Sequence, residues 1–149
     1  MQTRDQRYGA AIFAQVSEIH QRWPKKPKHE GKRKEYGSMA HKLPVLIRTA
    51  GLAQALAFVE ARHQPGSPPR ELLKHLCAVL EEPELAKKSR ETTDLSEYVR
   101  LTHNALAALL WYKRFAQSVL DVDASAASDV GQVGDDATVD NGGVEGDGE

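Results

Sequence analysis

Apolar residues recur along this chain at helical spacing, and strict alternation of apolar and polar positions is nowhere sustained. Tyr8, Ile12, Val16, Ile19 and Trp23 follow one another at steps of four, four, three and four, one stripe on a first helix that stops at Pro24. Thr3 has the chemistry of its N-cap. The stretch from Pro24 to Arg33 holds two prolines, a glycine and several lysines, and reads as a solvated loop. A second helix begins near Lys34 and turns Met39, Leu43, Leu46, Ile47 and Ala50 inward, with Pro44 expected to bend or divide it.

Gly51 punctuates the pattern before a short third helix carrying Leu52, Ala55, Leu56, Phe58 and Val59. After the Pro65 to Pro69 turn, proline at the first helical position starts a fourth helix, which buries Leu72, Leu73, Leu76, Val79 and Leu80 and stops before Pro83. The last helix starts at Asp94, with Glu97 three residues on in the spacing of a capping box. Its seam runs through Tyr98, Leu101, Ala105, Ala108, Tyr112, Phe115 and Val119. The expected fold is all-α, a compact bundle of about five helices over residues 1–120.

Beyond Leu120 the composition changes. Leu, Ile and aromatic residues vanish, and six of the chain's eleven glycines follow. Residues 121–149 read as a disordered acidic tail. This alters the meaning of the charge, because the formal net charge of −1 averages two opposed regions. Nine acidic residues and no Lys or Arg occupy 121–149, which leaves residues 1–120 at +8. Between Arg22 and Lys42 alone, eight basic residues face two acidic ones. Such a body suits a polyanion, which Lys and Arg bind through counterion release.

Catalytic chemistry finds little to stand on. Glu60 with His63 and Glu71 with His75 are isolated helical pairs, short of the repeated Glu-x-x-His and inward glutamates of a di-iron bundle. Cys77, the single cysteine, sits between Leu76 and Ala78 as apolar core, and no spacing nominates a base for it. With no phosphate-binding or dinucleotide loop either, the expectation is a non-enzyme with neither cofactor nor metal. The absence of an apolar run of membrane-spanning length, and of disulfide-forming cysteines, leads to the expectation of a cytoplasmic protein with no membrane partner.

Binding chemistry is better represented. Lys34, His41 and Arg48 repeat at seven residues, nearly one angular position of a helix, with Ser38 and Lys42 beside them. Lys113 and Arg114 lie among Trp111, Tyr112 and Phe115, an interleaving that also occurs where bases stack, although the periodicity assigns Tyr112 and Phe115 to the core. Trp111 falls beside the stripe, at an edge of the bundle or against a partner.

The runs Tyr36-Gly37-Ser38-Met39-Ala40-His41-Lys42-Leu43-Pro44 and Leu46 to Phe58, with Ala105 to Ala107 and Leu110 to Ala116, resemble the small helical subunit of type III-B CRISPR effectors, the Cmr complexes. The likeness spans about residues 4 to 120, although Ala50 and Ala53 stand where Asn and Gly are expected. It implies a non-catalytic antiviral ribonucleoprotein subunit that stacks in several copies against the larger backbone subunits and lines the guide RNA–target RNA duplex. By motif position, Lys42 and Arg48 are the first RNA-binding candidates. Lys113 and Arg114 come next, then Arg4, Arg7, Arg33 and Lys34. The other reading of the residues is a helical protein-interaction module whose basic face docks an acidic partner. In the RNA-binding reading, the tail would compete with RNA for the basic face of the free subunit.

Overall fold

Thr3 opens the first helix with a complete capping box. Its hydroxyl accepts from the Gln6 amide at 3.1 Å, and the Gln6 side chain accepts from the Thr3 amide at 2.8 Å. The computed structural model describes residues 1–125 and arranges them as α1 (Arg4–Arg22), α2 (Glu30–Ala50), α3 (Leu52–Arg62), α4 (Pro68–Leu80), α5 (Leu85–Glu91) and α6 (Leu95–Ser118). No strand occurs among the described residues. Residues 126–149, which hold most of the expected tail, lie outside the described residues.

Four side-chain relationships orient the long helices. Arg4 Nη1 bonds Asn104 at 3.0 Å near the start of α1, and Phe13 meets Phe115 edge-on further along, so α1 and α6 run in the same direction. Arg33 reaches the Leu120 carbonyl, whereas the Tyr98 hydroxyl accepts from the Ala53 amide just after α2, so α2 runs against α6. Between these helices and α4 lies the core: Ile12, Val16, Ile19, Tyr36, Leu43, Leu72, Leu76, Leu101 and Tyr112 are fully or almost fully removed from solvent.

Four boundaries differ from expectation, each for a physical reason. First, α2 begins at Glu30, so the connecting loop shortens to residues 24–29. Glu30 pairs with Arg33 at 2.7 Å and Lys34 at 3.4 Å, and an acidic residue in the first turn favours the positive end of the helix dipole. Second, Pro44 does not divide α2, which continues to Ala50. Proline lacks the N–H that would reach the Ala40 carbonyl, yet Leu43, Pro44 and Ile47 are all buried and packing holds the axis through the gap. Third, a sixth helix, α5, occupies the stretch between Pro83 and Asp94. With only Leu85 and Ser89 buried over seven residues, it is too short to display a period.

Fourth, the folded body does not end at Leu120. Val122 is 2 % exposed, its amide donates to the Ala116 carbonyl at 2.9 Å, and its carbonyl lies 2.8 Å from His41 Nε2. The strap from Leu120 to Val122 therefore belongs to the bundle. At the start of α6, Asp94 caps the Ser96 amide at 3.0 Å as expected, but Glu97 turns away from the box and pairs with Arg100 at 2.7 Å and Lys88 at 3.1 Å. Gly51, at φ 89°, is both the end of α2 and the start of α3, a conformation that glycine adopts without steric cost.

Candidate nucleic-acid interface

The basic residues singled out in the sequence divide into three groups. Lys42, on the middle turn of α2, is half-buried, and its ammonium lies 5.2 Å from the centre of the Phe58 ring on α3. Arg48 is exposed in the last turn of α2, where a cation complements the helix dipole, and it forms no ion pair among the described residues. Lys34 is exposed at the other end, partly neutralised by Glu30 at 3.4 Å. Fourteen residues of helix separate Lys34 from Arg48, about 21 Å along the axis.

The second group follows the parallel pair α1 and α6. Arg4 is exposed but engaged, with Asn104 at 3.0 Å, Asp5 at 3.8 Å and the Tyr8 ring at 5.7 Å. Arg7 is exposed one turn away. Lys113 and Arg114 are exposed near the far end of α6, with Arg114 lying 5.9 Å from the Trp111 ring.

Arg33 forms a group of its own and is a correction. At 2 % exposure it is buried in α2, and its guanidinium donates to the Leu120 carbonyl and pairs with Glu30. It holds the strap and presents nothing to a surface ligand. His41, which shared the angular position of Lys34 and Arg48, is also buried and bound to the strap. The polar stripe expected along α2 is therefore interrupted at its centre. Angular position predicts a shared face, but only the path of residues 120–122 reveals that this face is covered midway.

The aromatic residues beside Lys113 and Arg114 are structural. Tyr112 is fully buried and its hydroxyl donates to Gln15 Oε1 at 2.5 Å, so it has no face to offer a base. Trp111 and Phe115 stack with ring centres 5.7 Å apart, and Trp111 packs over Gly9 of α1. Phe13 and Leu110 remain 51 % and 46 % exposed on this side of the bundle.

The Glu71 and His75 side chains are absorbed into packing and ion pairing, while Glu60 and His63 bond through their main-chain carbonyls. His75 Nδ1 lies 2.8 Å from the Tyr36 hydroxyl, and burial holds this imidazole below its ordinary pKa. Glu71 pairs with Arg22 at 3.5 Å. The Glu60 and His63 carbonyls both accept from Arg70 Nη1, at 3.3 and 3.2 Å. Cys77 is half-buried and desolvation pushes its thiol upward, away from reactivity. No three His, Cys, Asp or Glu side chains gather into a metal-binding group among the described residues, and no described helix is long and apolar enough to cross a membrane.

One candidate residue escaped sequence reasoning. Arg62, at the end of α3, places its guanidinium 4.5 Å from the centre of the same Phe58 ring that Lys42 approaches. The four-residue step from Phe58 to Arg62 is visible in the sequence, but the convergence of Lys42 on that ring arises only from the packing of α2 against α3.

Residues 4–119 match the family model described as CRISPR-associated protein (Cas_Cmr5). A relative from Thermus thermophilus, named CRISPR system Cmr subunit Cmr5, is 43 % identical over 124 residues, covering 81 % of this chain and 99 % of the relative. The crystal structure of a CRISPR-associated Cmr5 family protein, also from Thermus thermophilus, is 41 % identical, superposes with a TM-score of 0.67, and covers 80 % of this chain and 98 % of that one.

Proposed function

The chain belongs to the Cmr5 family of CRISPR-associated proteins, and from that premise we propose that it is a non-catalytic structural subunit of a type III-B Cmr ribonucleoprotein effector. In this reading it stacks in several copies against the larger backbone subunit along the guide RNA–target RNA path. The observation that carries the assignment is the family match across almost the whole helical body. Lys42 and Arg48 contact RNA phosphates, supported by the exposed, unpaired guanidinium of Arg48 at the end of α2. Lys113, Arg114, Arg7, Arg4 and Lys34 contribute from the flanks. Contacts of this kind neutralise backbone charge without reading bases, which suits a guide whose sequence varies.

Lys42→Glu with Arg48→Glu, introduced into the assembled complex, tests the proposal. Target RNA binding should weaken, and the salt dependence of the affinity should fall by about one unit of slope for each phosphate no longer neutralised. Unchanged affinity and slope in an intact complex would reject the RNA assignment and favour the protein-interaction module, whose basic face docks an acidic partner. Affinity purification from the host that recovers neither Cmr subunits nor small RNA would reject the complex itself.

A further inference from the structure

Between α2, α3 and α4 lies a cleft of about 160 Å³, lined by Glu35, Ser38, Met39, Lys42, Phe58, Arg62, His63 and Pro69. We propose that this cleft is a binding site for a single phosphate group, held by Lys42, Arg62 and the Ser38 hydroxyl. For its RNA source the proposal rests on the function proposed above; for phosphate itself it stands alone.

Three observations converge on that chemistry. Lys42 and Arg62 approach one ring, at 5.2 and 4.5 Å from its centre, so two like charges from different helices are concentrated at one mouth. Neither forms an ion pair among the described residues; Glu35 lines the cleft but makes no salt bridge with either. An anion entering the cleft is attracted by both cations and can accept hydrogen bonds from them.

Second, Ser38 is 3 % exposed and its Oγ has no hydrogen-bond partner. Buried hydroxyls are normally satisfied, and a helical serine has its own preceding carbonyls within reach, so an unmet hydroxyl on a residue that lines the cleft is available to a ligand oxygen after a turn about χ1. Third, several cations act on the site together. His63 is held below its ordinary pKa chiefly by burial; Glu35 pulls it up, and Lys42, Arg62 and Arg70 each push it down, so three cations act at this site beside one carboxylate. The volume limits the occupant, since pockets for drug-sized molecules begin at about 300 Å³. A phosphate fits this volume and finds two cations on its walls.

Titration of the full-length chain with inorganic phosphate, followed by amide and side-chain NMR, tests the site. Saturable shifts should gather at Ser38, Lys42, Arg62 and His63. Lys42→Gln and Arg62→Gln should each weaken binding about tenfold, and Ser38→Ala to a lesser degree. Arg90→Gln on α5 should leave it unchanged. Displacement of phosphate by a short RNA without terminal phosphates identifies a backbone phosphodiester as the source, while failure of that RNA to compete identifies a free phosphate or phosphomonoester. Absence of a saturable response, or a response that survives both Lys42→Gln and Arg62→Gln in folded protein, overturns the site. Should that happen while the Lys42→Glu, Arg48→Glu complex still loses RNA affinity, the cleft falls and the RNA reading stands.

Discussion

Gly37 of α2 and Val122 of the strap occupy one contact: a Cβ placed on Gly37 would lie 2.6 Å from the Val122 Cβ, far inside van der Waals distance. The strap can cross α2 because this position has no side chain. Around the crossing, Arg33 donates to the Leu120 carbonyl and His41 sits 2.8 Å from the Val122 carbonyl, so the end of the body is clasped on three successive turns of α2.

Gly37→Ala should therefore destabilise the protein. Alanine gains about 1 kcal/mol of helix propensity over glycine, while overpacking costs about 1–3 kcal/mol, so the net loss is at most about 2 kcal/mol, with the close approach to a branched Cβ putting it toward that end. Val122→Gly in the same chain should recover part of the Gly37→Ala loss in a double-mutant cycle followed by chemical denaturation. Additive effects would show that Gly37 and Val122 do not share the contact.

His75 predicts a pH dependence with a definite sign. Its ring Nδ1 shares a hydrogen bond with the Tyr36 hydroxyl, and burial depresses its pKa in the fold, against an opposing pull from Glu71 and Glu18. Because the unfolded chain binds the proton more readily, this contribution is fully present above the ordinary histidine pKa of about 6.5 and is lost as the pH falls through the lower folded value. Denaturation midpoints should fall across that window. Replacing His75 by Gln should flatten the slope there; a slope that persists unchanged would assign it elsewhere.

Glu97 behaves differently, as a surface carboxylate held low by partners. Arg100 at 2.7 Å and then Lys88 at 3.1 Å bring its pKa down to about 2 from 4.5. Stability from this depressed group is present above about 4.5 and disappears as acid takes the pH through about 2. Arg100→Gln should raise the NMR titration midpoint of Glu97 toward the ordinary value, and added salt should shift it the same way. The effect on global stability should be small, since exposed pairs contribute little.

The acidic C-terminal segment gives a fourth expectation. Seven acidic residues and no Lys or Arg fall in 126–149, so deletion of those residues should tighten nonspecific RNA binding by the free chain at low salt. The cut belongs after Ser125, because removal from Val122 would take away a buried residue and its clasp on α2. Filter-binding affinity that does not change at low ionic strength would argue against competition between the segment and RNA.

Helical periodicity, proline and glycine positions and the cap at Thr3 were enough to place α1, α3, α4 and α6 and most of their buried faces, because each of these signals acts within a few residues. Motif position in the family resemblance nominates Lys42 and Arg48. What local pattern could not contain was decided by residues that meet from distant parts of the chain. The strap buries Arg33 and His41, which by angle belonged to an open face, since a helix has no fixed exterior until its neighbours choose one. Packing likewise carries α2 through Pro44, where propensity alone predicts a break. The cleft depends on Lys42 of α2 reaching a ring on α3, a distance that no spacing in the sequence encodes. The sequence by itself determined which segments coil and where charge is concentrated; the tertiary structure alone decided which of those charges are free to meet a ligand, because burial is a property of the assembled helices.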